Sequence, residues 1–232
     1  DGNWPPVAGF ETNMLDLVTD FAIFSEMIYD ELLAVTEAQH LTIFGILAGS
    51  TGSIILLAPH EPSYWPAICY NPEWQDRMPD PVDRWSHRII ERVAQVTGSK
   101  PHFPFGAQPA PFLKWALASD RAWQSPVVMA EQAEAGLLVF YRGALELPDY
   151  SIQVSRRESP CPSRTKPCMT ACPVGALIGS DYNLDAYWGY MRADPDQRCL
   201  STGCLVRRSC PISSLHPRIA EHSAYHMQQF IK

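Results

Sequence analysis

Cys168-Met-Thr-Ala-Cys172-Pro173-Val-Gly-Ala-Leu177 is the stretch that decides the predicted fold, a cysteine-rich segment that runs through Cys-Pro. Cys161 precedes it with six residues between, and a second group, Cys199-x4-Cys204-x5-Cys210-Pro, follows it. Six of the seven cysteines in the chain therefore lie in two groups that each finish on Cys-Pro. Clustered cysteines in a chain that is not exported indicate metal or redox chemistry more often than structural disulfides.

Two cysteine groups that each end in Cys-Pro are typical of one class of iron–sulfur protein. Bacterial ferredoxins hold two 4Fe-4S clusters with two runs of C-x2-C-x2-C-x3-C-P, and the last cysteine of each run ligates the other cluster. Here only the x3-Cys-Pro ending of the first group keeps that spacing. Ferredoxin-type crossing divides the six cysteines into two sets, namely Cys161, Cys168 and Cys210 for one cluster and Cys199, Cys204 and Cys172 for the other. Each set lacks one thiolate, which leaves a labile iron or a non-cysteine ligand.

Other interpretations of the six cysteines stay open. One fully ligated cluster could be drawn from the six, and a decayed ferredoxin without iron also explains the irregular spacing. A zinc site needs four ligands that are commonly paired as C-x2-C, and the sequence contains no such pair. Disulfides would suit a secreted chain better.

Composition is that of an ordinary globular protein. Hydrophobic residues make up 46% and charged residues 19% of 232 residues, a length that fits one large domain or two small ones. No apolar run approaches the roughly eighteen residues of a membrane span. The first residues, Asp1-Gly-Asn-Trp-Pro-Pro, lack the basic flank and apolar stretch of a secretion signal. We therefore expect a cytoplasmic location and no membrane partner.

The net charge of −7 is unevenly distributed along the chain. Residues 1–150 have a charge balance of −11, and residues 151–232 have a balance of +4. A basic segment suits anionic cluster–thiolate units, although two attracting faces of one domain would give the same pattern. The basic residues are scattered and the total is acidic, so the sequence does not favour a nucleic-acid partner.

Hydrophobic periodicity predicts alternating helices and strands up to about residue 120. The first 40 residues have helical spacing, and two strands follow at Leu41–Leu47 and Ser53–Ala58 with a glycine-rich turn between them. A helix is predicted to begin at Asp80-Pro81 and to end at Gly98. Its buried face is expected to contain Val82, Trp85, Ile89, Val93 and Val96. A short strand at Lys100–Phe105 and a helix at Ala110–Ser119 complete this region.

The second half of the chain contains one strong strand signal and then short helices. Ala135–Leu147 is the strongest strand signal in the sequence. Short helices are predicted after Cys172 (Pro173–Leu177) and at Leu184–Met191, and a C-terminal helix at about Pro217–Phe230. We predict a domain boundary near residue 150, with an α/β core domain in residues 1–150 and a small cysteine-rich module in residues 151–232.

From about Pro81 to Pro211 the chain resembles the family of epoxyqueuosine reductases and corrinoid reductive dehalogenases. The specific part is Cys168-x3-Cys172-Pro-Val-Gly-Ala-Leu, which matches the family's Cys-x3-Cys-Pro-x-Gly-Ala-hydrophobic ending. Ala110–Ala118 and Ala135–Gly143 stand where the family has a helix and the strand before the first cysteine group. The family's Ala-Gly-Leu-Gly-Trp-x-Gly-Lys segment survives only as Ala135-Gly136-Leu137, and no catalytic acid can be carried over by matching residues.

The resemblance implies an α+β architecture in which a nitroreductase-like core domain precedes a ferredoxin-like module. It also implies an iron–sulfur protein that transfers electrons, with cobalamin as a further cofactor and a redox partner protein or small-molecule substrate. If the module has lost its cluster, the chain would instead bind or carry a small molecule such as a corrinoid. The sequence does not give the oligomeric state.

Four further features have structural explanations that we favour over functional ones. Cys69 lies in an apolar context and is predicted to be a buried structural thiol. His222 and His226 are four residues apart on one helical face, which suits a metal, but two surface histidines are expected. Phe103–Phe112 could line an aromatic pocket, but we favour the interpretation that this segment is a packed proline-rich loop. Arg207-Arg208 could contact an acidic redox partner or be an exposed pair without a specific role.

Overall fold

The computed structural model describes residues 28–152, 155, 157–161, 165–178, 182–193, 196 and 198–231. The helical pattern predicted before residue 28 lies outside these ranges, and its continuation is a helix, α1, over residues 28–37. No helix in the described ranges is both long enough and apolar enough to cross a membrane.

Strands and helices are mixed along the described chain up to Pro148. After Pro148 the described elements are all helices or 3-10 turns. The strands are β1 (Leu41–Ala48), β2 (Gly52–Pro59), β3 (Lys100–His102), β4 (Ala122–Gln124), β5 (Ala130–Gln132) and β6 (Gly143–Pro148). The helices after α1 are α2 (Tyr64–Tyr70), α3 (Pro72–Gln75), α4 (Pro81–Thr97), α5 (Phe112–Ala118), α6 (Leu184–Ala193), α7 (Arg198–Thr202), α8 (Leu205–Ser209) and α9 (Ala220–Phe230). Two 3-10 turns lie at Pro167–Met169 and Ser213–Leu215.

The main sheet has four strands in the order β1-β2-β6-β3, and every pair is antiparallel. β1 and β2 form the predicted hairpin, with a register shift between Ile43 and Gly45. β4 and β5 form a separate two-stranded sheet. Helices together with antiparallel sheets make this an α+β protein, as the sequence predicted at that level.

Both faces of β2 are buried, and side-chain alternation divides its residues between two cores. Ile55 and Leu57 pack in the core that includes α4, whereas Ile54 and Leu56 pack in the core that includes α5. The sequence of Gly52–Pro59 is almost entirely apolar, without polar alternation, because both faces of the strand are buried.

Helix α4 has the predicted bounds, with Asp80 as its N-cap and Gly98 as its C-cap residue, and four of the five residues predicted for its buried face are buried. Val82, Trp85, Ile89 and Val93 are buried, but Val96 is 72% exposed although it lies on the same side of the helix. The last turn of α4 thus extends past the core. Asp80 occupies the N-cap position in a left-handed conformation, and its side chain makes no capping hydrogen bond.

Two predicted elements of the second half are wrong. The strand predicted at Ala135–Leu147 begins only at Gly143, because Gly136 takes a positive φ of 55° and the Oγ of Ser213 accepts from the Leu137 N–H at 2.9 Å. A Cβ at Gly136 would lie 2.8 Å from the Ser213 nitrogen, so the backbones approach too closely for a larger residue. The helix predicted after Cys172-Pro173 is a pair of turns.

The predicted helices at the end of the chain are confirmed as α6 and α9. α9 contributes Tyr225 to the core that contains α4, and Met227 to a second core in the cysteine-rich part. The two parts of the chain meet along this helix. The predicted domain boundary near residue 150 stays a prediction.

Candidate functional site

The short helix α8 presents a cysteine at each end. Cys204 is its N-cap residue and Cys210 its C-cap residue, about 9 Å apart along a helical rise. α8 packs against the 3-10 turn that contains Cys168. This packing brings Cys168 and Cys210 together, although 41 residues lie between them in the sequence.

Three of the predicted ligands share one recess. Cys161, Cys168 and Cys210 line a small recess of about 10 Å³ that is partly open to solvent. These three residues are the first of the two sets that ferredoxin-type crossing requires. Cys168 and Cys210 are buried, and Cys161 is half-buried.

Glu131 lies in the same recess and was not among the residues that the sequence indicated. It is 1% exposed, and its Oε1 accepts a hydrogen bond from Ser159 Oγ at 2.6 Å. Its carboxylate also lies close enough to the Cys161 thiol to raise the pKa of that thiol. The recess therefore offers three thiols and one carboxylate, a donor set that fits a cluster with one non-cysteine ligand. No local sequence signal could have found Glu131, because it lies 30 residues before Cys161.

Two of these thiols, Cys161 and Cys168, have a raised pKa in the recess. Burial and then the neighbouring Glu131 raise the pKa of Cys161, to about 11, while Lys166 acts in the opposite direction. Burial also raises the pKa of Cys168, with a smaller contribution from Cys210. Metal binding requires thiolates, so loading of this recess would release protons.

The second set of cysteines does not line this recess. Cys172, Cys199 and Cys204 all belong to the core of the cysteine-rich part. Cys172 accepts a hydrogen bond at its Sγ from the Ala176 N–H at 3.4 Å. The pKa of the Tyr182 hydroxyl is raised to about 12 by burial and, to a smaller extent, by the nearby Cys204 and Cys172. Tyr182 is thus near both of these cysteines.

The described residues do not form a site for a single metal ion. Within the described ranges, no three His, Cys, Asp or Glu side chains are arranged so that they could hold one ion, so the zinc alternative has no site there. A 4Fe-4S cluster differs, because each thiolate binds a separate iron and the ligands lie farther apart. None of the seven cysteines, all of which lie in the described ranges, forms a disulfide, and the disulfide alternative is therefore wrong for this state of the chain.

A larger cavity lies on the Cys204 side of α8. It has a volume of about 560 Å³ and is lined mainly by apolar and aromatic side chains. Its aromatic residues are Phe112, Phe140, Tyr141, Tyr182, Tyr187 and Phe230. Arg207 also lines it, so this arginine is not the exposed surface residue that the sequence suggested.

His226 lines this cavity and is the end of a hydrogen-bonded chain. The Nε2 atoms of His222 and His226 are 3.0 Å apart, and His222 Nδ1 is 2.5 Å from Glu61 Oε1. The prediction of two surface histidines is wrong, because His222 is fully buried and stacks on Trp65 with ring centroids 5.0 Å apart. The helical spacing indicated that the two imidazoles share a face, but not that α9 packs this face inward.

The pKa shifts of Glu61 and of His222 both favour the uncharged side chain. Burial raises the pKa of Glu61 to about 7, and Arg218 acts against that change. The pKa of His222 is well below its usual value because of burial and the positive charge of Arg218. With Glu61 protonated, its O–H can donate to His222 Nδ1, which leaves the His222 Nε2–H to donate to His226.

We expect Glu61→Gln to remove a pH dependence of stability. Between pH 4.5 and about 7 the folded state binds more protons than the unfolded state at Glu61, so the free energy of unfolding falls as pH rises. The full loss across this window is on the order of 2–3 kcal/mol. Glutamine resembles the protonated acid and cannot ionise, so the variant gains on the wild type as pH rises. Urea unfolding of both proteins from pH 5 to pH 8 measures the difference.

The free energies of unfolding of the two proteins must be subtracted at each pH, because His222 changes stability with pH in the direction opposite to Glu61. Its lowered pKa removes stability as pH falls below 6.5, and it does so in both proteins. A wild-type minus variant difference that stays constant over this range would contradict the raised pKa of Glu61.

Two other features lie apart from the cysteines. An open groove of about 720 Å³ along α4 is lined by charged side chains of both signs, including the paired Arg88 and its neighbours. Cys69 lies on α2, half-buried against the main core, which agrees with a structural thiol. Neither contacts the recess.

Comparison of the chain with protein families, with curated proteins and with solved structures gave no match.

Proposed function

We propose that this chain is an iron–sulfur protein of the electron-transfer or reductase type. The observation that supports the proposal is the common recess of Cys161, Cys168 and Cys210, the set that ferredoxin-type crossing predicts. A 4Fe-4S cluster bound there would accept and donate single electrons. Cys161, Cys168 and Cys210 would hold it, and Glu131 would supply an oxygen ligand in place of the fourth thiolate.

The residues around the recess suit such a group. Lys166 offsets the negative charge that thiolates and a cluster bring. Leu137 and Ile212 are apolar and cover the recess on the protein side. Burial and hydrogen bonds to sulfur tune the reduction potential of a cluster, and these residues control both. The electron acceptor would be a redox partner protein or a small molecule in the cavity beside Cys204.

Anaerobic purification with iron and sulfide analysis tests the proposal. We expect brown protein with about four irons and four acid-labile sulfides per chain for one cluster, and twice that for two. Because clusters can be lost during purification, the same preparation is also treated with iron and sulfide under reducing conditions. Protein that stays free of iron after this treatment, with its cysteines reduced or paired, would overturn the proposal.

A second candidate is a cluster-free protein that binds or carries a small molecule. The cavity of about 560 Å³ favours it, because pockets for drug-sized ligands span about 300–1,000 Å³. A complete cobalamin is considerably larger than a drug-sized ligand, so this cavity suits a smaller molecule. An unchanged visible spectrum of cobalamin during titration with the protein would exclude the corrinoid version.

A further inference from the structure

The cavity beside Cys204 has the chemistry of a ligand site that is separate from the cysteine recess. Aromatic rings from four parts of the chain line it: Phe112 from α5, Phe140 and Tyr141 from the segment before β6, Tyr182 and Tyr187 around the start of α6, and Phe230 at the end of α9. Tyr182 and Phe230 are nearly parallel, at 11° with centroids 6.2 Å apart. Such walls favour a flat, conjugated molecule.

The charge on the cavity wall is positive. Arg207 and Arg218 line it, and none of the described lining residues is an Asp or a Glu. Each arginine donates to a backbone carbonyl, Arg207 to Leu137 at 2.6 Å and Arg218 to Leu138 at 2.9 Å. Neither has an ion pair with a carboxylate in the described part of the chain.

One hydrogen-bond donor of the Arg218 guanidinium is unused. Its Nε atom is buried and has no hydrogen-bond partner among the described residues. A buried charged donor without a partner costs free energy, and an anionic acceptor in the cavity would relieve that cost. The carboxylate whose charge acts on Arg218 is Glu61, which is bonded to His222.

The Glu61–His222–His226 chain ends at the same cavity. Other charged groups that act on its imidazoles are the cations Arg142, Arg207 and Arg218. His216 also acts on His222, and burial followed by Arg218 lowers the pKa of His216 to about 4. An anion in the cavity would weaken the effect of these cations on the chain.

The chain has two hydrogen-bond states that differ by one proton. When Glu61 is ionised, His222 Nδ1–H donates to it and His226 Nε2–H donates to His222, so the remaining nitrogen of His226 is an acceptor. When Glu61 is protonated, both donations reverse and His226 Nδ1 carries the proton. Only the second state gives an anion a donor at His226.

We infer that this cavity binds a planar aromatic anion and that the Glu61–His222–His226 chain takes up a proton when the anion binds. The anion selects the state in which His226 is a donor, and the proton from solvent ends on Glu61. This inference goes beyond electron transfer and is independent of whether the cysteines hold iron. A negative iron analysis would therefore contradict only the proposed function, and a negative probe titration would contradict only this inference.

A matched pair of fluorescent probes tests the anion requirement. 8-Anilino-1-naphthalenesulfonate and N-phenyl-1-naphthylamine share an aromatic frame, and only the first carries a sulfonate. We expect one sulfonate probe per chain to bind at least tenfold more tightly than the neutral probe. Arg218→Met is expected to lower sulfonate affinity about tenfold or more, since a charge-assisted hydrogen bond is lost, and to leave neutral-probe binding unchanged. Arg208→Met is the control, because Arg208 is exposed and does not line the cavity.

Calorimetric titration with the sulfonate probe tests proton uptake. At pH 7, the apparent enthalpy measured in buffers of different ionisation enthalpy gives the number of protons taken up. We expect about half a proton per probe in the wild type, since Glu61 is about half ionised at that pH. Glu61→Gln should bind the probe with similar affinity and take up none. The inference is overturned if the two probes bind equally, or if uptake is absent from the wild type or persists in Glu61→Gln.

Neutral-probe binding also reports on folding. If Arg218→Met fails to bind either probe, Arg207→Met replaces it, because Arg207 reaches the same cavity from α8. Loss of sulfonate preference in this variant supports the site. Full sulfonate affinity in a variant that still binds the neutral probe overturns the anion requirement.

Discussion

Cys168→Ser and Cys210→Ser are expected to lose the iron of the proposed cluster, which these two residues would hold together with Cys161. The serine hydroxyl is nearly the same size as the thiol but is a poor ligand for iron at neutral pH, so the fold should persist while the cluster does not. After reconstitution, iron and sulfide per chain and visible absorbance measure the loss. Cys69→Ser is the matched control, because Cys69 lies on α2 away from the recess.

Serine variants of the second set determine the number of clusters. If Cys199→Ser and Cys204→Ser keep full iron content, one cluster is held in the recess with Glu131. If each variant lowers iron content by half, the crossing arrangement holds two clusters. Iron content that is unchanged in Cys168→Ser and Cys210→Ser, with both variants folded, would contradict the assignment of the recess.

Trp85→Ala is expected to give the largest loss of stability from a single change in α4. Trp85 is 1% exposed and packs edge-on against Tyr64, with ring centroids 5.3 Å apart. Truncation of a buried tryptophan leaves a cavity that neighbouring side chains fill only in part, which costs about 3–5 kcal/mol. Urea unfolding, monitored by circular dichroism, measures the change.

Val96→Ala is the control on the same helix. Val96 is 72% exposed, so its truncation should change stability by no more than about 0.5 kcal/mol. Trp85→Phe should cost less than Trp85→Ala, because it keeps an aromatic ring and removes an indole N–H that has no partner among the described residues. Equal effects of Val96→Ala and Trp85→Ala would mean that α4 packs in a different register.

Local patterns were sufficient where one element buries one face. The β1–β2 hairpin, α4 and the helical character of α6 and α9 follow from spacing alone, because periods of two and 3.6 place apolar side chains on one side. The segment Ala135–Arg142 has the composition of a strand but is irregular. Ser213 bonds its backbone from a distant part of the chain, and such tertiary contacts override local preference.

The sequence by itself determined the α+β class, the main helices and the hairpin, and it indicated six cysteines as the candidate ligands. Only the tertiary structure decided which of them meet. Packing of α8 on the turn at Pro167–Met169 joins Cys168 to Cys210 and separates Cys204 toward the aromatic cavity. The tertiary structure also places Glu131 in the recess, and it places Glu61 beside His222, which lies 161 residues away in the sequence. Contacts between residues so far apart depend on how elements pack, and no local spacing encodes that.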